Sequence, residues 1–271
     1  MYCNASGASI SELFLAGFLP GVLIALCLMV YSYIYCKIHG EDKDKLNAKC
    51  MELRAKGLGT VLKEGFWALM SPVIILGGIY GGICSPTEAA TISIFYSLIV
   101  SLFIYRTIKI RDLPKIMLEG IHSYAPILII LSAAVAFARV ITLMNVATIV
   151  SEAVLSAISS KVVILLLINV LLLFVGMIMD TGPAILVFTP VLLPVAEAIG
   201  VDPIHFGIIM CVNLAIGFVT PPMGANLFVA SNLSKVSVFD IARKAVPFIL
   251  AFLIALLLIT FVPQISMFLL Q

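Results

Sequence analysis

Charged residues are scarce in this chain of 271 residues: Asp, Glu, Lys and Arg make up only 11% of it, against roughly 25% in soluble domains. Hydrophobic residues account for 62% of the sequence, and the mean hydropathy is +1.21. This composition excludes an ordinary soluble domain and predicts an integral membrane protein with several segments of the ~20 residues that cross a bilayer. The net charge of +2 is too small to indicate a nucleic-acid partner.

Paired cysteines and catalytic clusters are also missing. The six cysteines show none of the spacings of a zinc site or a redox motif. The apolar segments contain no Ser/Lys pair, paired aspartates or metal-ligand cluster of the kind that an intramembrane enzyme needs. We therefore expect neither an enzyme nor a bound cofactor.

Apolar segments at about 13–35, 66–80, 86–105 and 124–144 predict four membrane spans. Basic residues cluster after the first span, after the third span and near residues 235–244. Basic loops tend to face the cytoplasm, and the three clusters agree only if residues 161–200 enter and leave the membrane by the same face. The sequence therefore predicts a re-entrant helical hairpin over 161–200, with two short conventional spans as the alternative.

The predicted hairpin is broken at its centre, over residues 177–183. Gly176 and Gly182 supply flexible backbone there, and Asp180 or Thr181 can cap the second leg. Asp180 has two possible roles. It is either a helix cap or an ion- or substrate-binding group, since a carboxylate at membrane depth is costly and tends to have a partner.

The next predicted helix, 203–233, is broken by Pro221 and Pro222. Proline has no backbone N–H, so the carbonyls four residues earlier, those of Gly217 and Phe218, lose their helical donors. Thr220 precedes a proline and is pushed out of helical geometry, which lets its hydroxyl and carbonyl turn inward. Such oxygens suit a dehydrated alkali cation, and a proline kink that only shapes helix packing is the alternative.

Two nearby breaks at membrane depth indicate a transport site, because unpaired backbone persists there only where it is buried in protein or lines a polar cavity. Helix N-termini at the breaks attract an anion, while free carbonyls hold a cation. This pairing predicts coupled transport of an organic anion with sodium. Asn213 and Asn226 flank the second break and either line the site or form interhelical hydrogen bonds. The predicted site-lining residues are Asp180, Thr181, Gly182, Phe218, Pro221, Pro222 and Asn226.

Several motifs together resemble the large membrane subunit of tripartite ATP-independent periplasmic (TRAP) transporters, namely residues 77–83 with 85–90, 176–180, 189–194, 202–207 and 220–222. The resemblance covers nearly the whole chain. It implies an all-α, polytopic membrane protein of the ion-transporter superfamily, of elevator type, with one re-entrant hairpin and one discontinuous transmembrane helix. It also implies a bacterial inner-membrane location, contact with membrane lipid, and two partners: a small membrane subunit and a periplasmic substrate-binding protein.

The resemblance further implies a sodium site formed by Gly176, Gly217, Thr220 and Met223, mostly through backbone oxygens. Sodium is then the coupling ion, and the substrate is an organic acid such as a C4-dicarboxylate, a sugar acid or sialic acid. Residues 1–160 would be lead-in, scaffold and arm helices. Residues 161–233 would form the transport-type core, with the hairpin at 161–200 and the broken helix at 203–233, and residues 234–271 would form the C-terminal span.

One departure from the family pattern concerns its first inverted repeat, which carries a hairpin and a sodium site of its own and has no counterpart in this sequence. We expect the chain to correspond to the second repeat with a lead-in span, as a truncated or split large subunit whose missing first half is a further partner. The alternative is a non-transporting membrane scaffold, or a degenerate fragment, that only associates with partner subunits.

Overall fold

The computed structural model describes residues 1–40, 47, 50–51, 57–222 and 224–270. Within these residues the secondary structure is helical and includes no β-strand. The predicted sodium ligand Met223 lies outside the described residues, as do five basic residues of the first predicted loop: Lys43, Lys45, Lys49, Arg54 and Lys56.

The α-helices follow one another with short connections. They are α1 (Tyr2–Ser6), α2 (Ile10–Ala16), α3 (Phe18–His39), α4 (Leu58–Tyr80), α5 (Pro86–Ile99), α6 (Leu113–Leu143), α7 (Val146–Ala157), α8 (Lys161–Ile178), α9 (Thr181–Ala198), α10 (Pro203–Gly217), α11 (Ala225–Ser234), α12 (Val238–Phe261) and α13 (Gln264–Met267). A π-helix over Val100–Ile104 extends α5, and 3₁₀ turns occur at Ile110–Asp112 and Phe268–Leu270.

Six stretches of the described residues are long and apolar enough to cross a membrane: Ile10–Ile38, Pro86–Ile104, Ile110–Leu143, Lys161–Ile178, Thr181–Ala198 and Val238–Phe261. They confirm the prediction of an all-α, polytopic membrane protein. The two legs of the predicted hairpin, α8 and α9, have 18 residues each, which makes each leg about 27 Å long. That both legs open to the same face of the membrane stays a prediction.

The chain forms two compact units, one from Met1–Ser32 with Pro126–Gln271 and the other from Tyr33–Ala125. In the second unit α4 packs against α5, and the Tyr96 hydroxyl donates a hydrogen bond of 2.7 Å to the Trp67 carbonyl. The predicted division of the chain into residues 1–160, 161–233 and 234–271 concerns functional parts and stays a prediction.

The core of the first unit lies where α8, α9 and α10 pack together. α8 buries the residues that recur at helical spacing along one of its faces, from Ile164 to Gly176. α10 is buried along most of its length, and Phe206 and Met210 are completely inaccessible to solvent. In α9, Pro190 and Pro194 lie inside the helix. This three-helix core holds both breaks in the predicted transport region.

The fourth span differs from its prediction at 124–144, because α6 begins 11 residues earlier, at Leu113. Its first turns are exposed and mix apolar with polar residues, and Lys115 and Glu119, one turn apart, bring their charged groups within 4.0 Å of each other. Such pairs support helix continuation outside the apolar segment. The predicted span therefore omits an amphipathic extension at the start of this helix.

Asp202 caps α10. Its Oδ1 accepts hydrogen bonds from the backbone N–H groups of Ile204 (2.8 Å) and His205 (3.4 Å). We expect Asp202→Ala to lower the free energy of unfolding by about 1–2 kcal/mol, because two N–H groups of the first turn lose their acceptor. Thermal unfolding in detergent measures this loss. Asp202→Asn keeps an acceptor and should unfold close to the wild type, and equal losses in both variants would contradict the capping role.

Candidate functional site

The first break lies between α8 and α9. Asp180 occupies the N-cap position of α9, where its Oδ1 accepts a hydrogen bond of 2.8 Å from the Thr181 N–H. The Asp180 carbonyl accepts a further bond of 3.1 Å from the Ala184 N–H. Of the two roles considered for Asp180, the structure shows the cap, and the exposed carboxylate remains accessible beside it.

The end of α8 presents a carbonyl oxygen to the interior. The Met179 N–H donates to the Val175 carbonyl at 2.8 Å. In the part of the chain that the structure describes, no group donates to the next carbonyl, that of Gly176. The last carbonyls of any helix lack intrahelical donors. Gly176 is buried, so its carbonyl is a buried acceptor that receives no hydrogen bond from the described residues.

The second break, after α10, is closed by backbone hydrogen bonds. The Gly217 carbonyl accepts from the Thr220 N–H, and the Phe218 carbonyl accepts from the Asn226 N–H, both at 3.1 Å. The prediction that Pro221 and its neighbour leave these two carbonyls without donors is therefore wrong. The chain tightens into i to i+3 turns and folds back on itself, which supplies new donors, although each carbonyl keeps a second lone pair.

Thr220 lies within this turn and is half-buried. Its hydroxyl donates a hydrogen bond of 2.8 Å to the Ile216 carbonyl. The hydroxyl proton is thereby committed, whereas the Oγ1 lone pairs stay free to accept a hydrogen bond or to coordinate a cation. The prediction that this hydroxyl is free is therefore wrong for its proton, and the inward orientation of the side chain stays a prediction.

The two breaks meet at a contact between glycines. A Cβ atom added to Gly217 would lie 2.2 Å from the Gly176 carbonyl oxygen and 2.3 Å from its carbonyl carbon. A Cβ atom on Gly176 would lie 3.2 Å from the Leu214 Cα. The helix ends touch through their backbones, which no residue with a side chain would permit at Gly217. The structure thus brings together two of the four residues predicted to bind sodium, with Thr220 three residues further along.

The remaining predicted residues divide between two places. Asp180, Thr181 and Gly182 line a cavity of about 270 Å³ whose other walls come from Met1, Ile127, Ile130, Leu131, Pro183 and Ile185. Asn226 is exposed and contributes its backbone N–H to the second break. Pro222 is exposed, Pro221 and Phe218 are half-buried, and the Pro221–Pro222 peptide bond is cis. The role of these residues in lining a substrate site stays a prediction.

A buried polar pair lies one to two helical turns before the glycine contact. The Asn213 Nδ2 donates to the backbone carbonyl of Asn169 at 2.9 Å and to its Oδ1 at 2.8 Å. Of the two roles considered for Asn213, the structure shows the interhelical hydrogen bond. The sequence analysis did not identify Asn169, although its spacing could have indicated it. Asn169 precedes Gly176 by seven residues, and Asn213 precedes Gly217 by four. Each spacing puts the asparagine and the glycine on the same face of their helix.

The helical fold and the paired breaks define a polytopic membrane protein with a buried contact between discontinuous helices. Residues 1–265 match the family described as "Tripartite ATP-independent periplasmic transporter, DctM component". The chain belongs to this family, which confirms the resemblance seen in the motifs. The family is one of transporter permeases and not of enzymes, and its members lie in the bacterial inner membrane.

Three relatives show the range of the similarity. The isethionate TRAP transporter permease protein DctMQ of Oleidesulfovibrio alaskensis is 44% identical over 271 residues, covering 99% of this chain and 41% of the relative. The C4-dicarboxylate TRAP transporter large permease protein DctM of Pseudomonas aeruginosa is 37% identical over 267 residues, covering 98% and 61%. The sialic acid TRAP transporter large permease protein SiaM of Vibrio cholerae is 34% identical over 269 residues, covering 99% and 62%. The chain thus spans less than two thirds of the length of each of these relatives.

Proposed function

We propose that this chain forms part of a sodium-coupled, elevator-type permease that imports an organic acid anion. The observation that carries the proposal is the contact between the two broken helices at Gly176 and Gly217. Membership of the TRAP permease family supports the transport role. The contact supports sodium as the coupling ion, because the C-terminal ends of two helices converge there.

Two helices end at the glycine contact, α8 at Ile178 and α10 at Gly217. The C-terminal end of a helix carries a partial negative charge, so two converging ends favour a cation between them. The Gly176 carbonyl is buried and has no described donor. The second lone pair of the Gly217 carbonyl and the Oγ1 of Thr220 are further acceptors. In the proposed site, these oxygens and Met223 replace part of the hydration shell of sodium.

The anion is proposed to bind on the other side of the breaks, where helices begin. The N-termini of α9 and α11 carry partial positive charge, and Thr181 and Gly182 line a cavity at the start of α9. The relatives are named for isethionate, C4-dicarboxylate and sialic acid, all of which are small organic anions. A C4-dicarboxylate, a sugar acid or sialic acid would suit such a site. Its proposed lining comprises Asp180, Thr181, Gly182, Phe218, Pro221, Pro222 and Asn226.

Membership of the TRAP permease family supports two of the proposed partners, and the relatives named above are longer than this chain. We include a small membrane subunit, a periplasmic substrate-binding protein and the first half of the large subunit. Reconstitution of transport in vesicles should require all of them together with this chain.

Sodium binding is tested by thermal unfolding of the purified chain in detergent, with NaCl compared with KCl and choline chloride at equal ionic strength. A ligand that binds only the folded state raises the stability by RT ln(1 + [L]/Kd). We expect a saturable, sodium-specific rise in Tm that Thr220→Ala removes, because Oγ1 is lost, and that Thr220→Ser retains. Wild-type protein without any sodium-specific rise would contradict the proposal and favour the scaffold alternative.

A further inference from the structure

A chain of side-chain hydrogen bonds crosses the interior of the first unit. It starts at Asn213 on α10, which is fully buried, and passes to Asn169 on α8, which is 6% exposed. The Asn169 Nδ2 in turn donates to Thr260 Oγ1 on α12 at 3.2 Å. Thr260 donates to the Leu256 carbonyl at 2.8 Å. Side-chain hydrogen bonds therefore join three helices, α8, α10 and α12.

The Asn pair is not optimal for stability. The Asn213 Oδ1 is buried and has no hydrogen-bond partner among the described residues. Turning the amide over would place this oxygen against the two Asn169 oxygens that now accept from Nδ2, so the unpaired oxygen is intrinsic to the arrangement. A buried acceptor without a donor costs about 1–3 kcal/mol, whereas two apolar side chains of similar shape at these positions would cost little or nothing.

The Asn pair fixes the register of α8 against α10, which the surrounding aliphatic contacts do not fix. The neighbouring buried residues on this face of α8, such as Ile168 and Leu172, are aliphatic. In lipid, aliphatic contacts between helices have no hydrophobic driving force to favour them, so small residues and interhelical hydrogen bonds carry the specificity. Sliding α8 by one residue would shift it by about 1.5 Å and rotate its side chains by about 100°. Either change would break both bonds to Asn213.

The register matters because the contact between Gly176 and Gly217 lies one to two helical turns further along. The seven residues from Asn169 to Gly176 correspond to about 10.5 Å of rise, and the four from Asn213 to Gly217 to about 6 Å. The glycine contact tolerates little error, since even a Cβ atom at Gly217 would overlap the Gly176 carbonyl. Residues on common helix faces transmit their alignment along rigid helices to this contact.

We propose that Asn169 and Asn213 are positioning residues, whose hydrogen bonds fix the register of α8 against α10 so that the Gly176 carbonyl faces Gly217 in the geometry that binds the cation. The inference rests on the sodium site of the proposed function. It assigns the two asparagines a role in affinity for the ion that is separate from their contribution to stability.

The test compares the double variant Asn169→Leu/Asn213→Leu with the wild type by thermal unfolding at increasing NaCl, with ionic strength held constant by choline chloride. We expect its Tm without sodium to be close to or above that of the wild type. Its sodium midpoint should rise by about tenfold or more, a factor that corresponds to 1.4 kcal/mol of binding free energy. Asn213→Ser, which keeps a shorter donor, should also raise the midpoint and serves if the double variant fails to fold.

Thr189→Val is the matched control. The Thr189 hydroxyl is fully buried and donates to the Met210 Sδ on α10 at 3.4 Å, so this variant removes another buried polar contact of the same helix at a different place. Its sodium midpoint should stay within about twofold of the wild-type value, as expected when register is unaffected.

The outcomes separate the two proposals. A wild type that responds to sodium, with an unchanged midpoint in folded Asn variants, would overturn the positioning role and leave the proposed sodium coupling intact. An equal rise in Thr189→Val would also overturn it, because any loss of a buried polar contact would then have the same effect. A wild type without a sodium response would overturn the sodium coupling itself.

Discussion

Gly217→Val is expected to destabilise the protein by about 3 kcal/mol or more and to abolish its sodium response. The first atom of the new side chain would lie 2.2 Å from the Gly176 carbonyl oxygen and 2.3 Å from the carbonyl carbon. Both are backbone atoms in a buried helix end, so relief requires α8 and α10 to move apart. Overpacking of a core costs 1–3 kcal/mol even where side chains can shift. Thermal unfolding with and without sodium measures both effects.

Gly21→Val is the matched control for this substitution. Gly21 lies in α3, and a Cβ atom added there would meet nothing within 4 Å. The control should have a Tm close to that of the wild type and a full sodium response. If Gly217→Val behaved like Gly21→Val, the backbone contact between α8 and α10 would be refuted.

Gly207→Ala should show a second large effect, through Tyr2. A Cβ atom on Gly207 would lie 2.5–2.9 Å from three atoms of the Tyr2 ring. Tyr2 is only 2% exposed, and its hydroxyl donates to the Pro203 carbonyl. The alanine must displace the ring from its place against α10, so both its packing and its hydrogen bond are lost. We expect a loss of about 2–3 kcal/mol, measured by thermal unfolding.

A double-mutant cycle isolates this contact. In the Tyr2→Ala background the ring is absent, so the added methyl group meets open space and Gly207→Ala should cost less than about 0.5 kcal/mol. The coupling free energy between the two positions should then be about 2 kcal/mol, in the range found for residues in direct contact. Additive effects of the two substitutions would show that the ring does not pack on Gly207.

The local signals in the sequence predicted the apolar parts of the membrane helices, a cap at Asp180 or Thr181, and the positions of both breaks. Asp180 caps α9, and the chain turns between Ile178 and Thr181, as the glycines and Asp180 around the turn indicated. Hydropathy and cap residues act over one or two turns, so they can be read without the tertiary structure. The family motifs supplied the same positions on independent grounds.

The pairing of the carbonyls at the two breaks could not be predicted in this way. The proline argument considers only the i to i−4 bonds that Pro221 and Pro222 cannot make. In the structure Thr220 and Asn226 supply donors from inside and beyond the turn, whereas in the other break no described group donates to the Gly176 carbonyl. Predicting this outcome requires the path of the chain after the break, which no local rule provides.

Asn169 escaped prediction for a related reason. A single asparagine in an aliphatic run has no local partner, and its role appears only when α8 is placed on α10 in register. Its own amide oxygen accepts from Asn213, and its amide nitrogen donates to Thr260, 91 residues away along the chain. The pairing is a property of the packed helices and not of either sequence segment.

The two legs of the hairpin differ in stiffness. The first leg, α8, contains no proline, so its backbone hydrogen bonds run without interruption. In α9, Pro190 and Pro194 deprive the Leu186 and Pro190 carbonyls of their helical donors, and helices bend most readily at such points. We therefore expect α8 to be the stiffer leg of the hairpin and α9 to be the leg that bends more easily. Force applied at its tip would bend α9 near Leu186–Pro190 and leave α8 in place on α10.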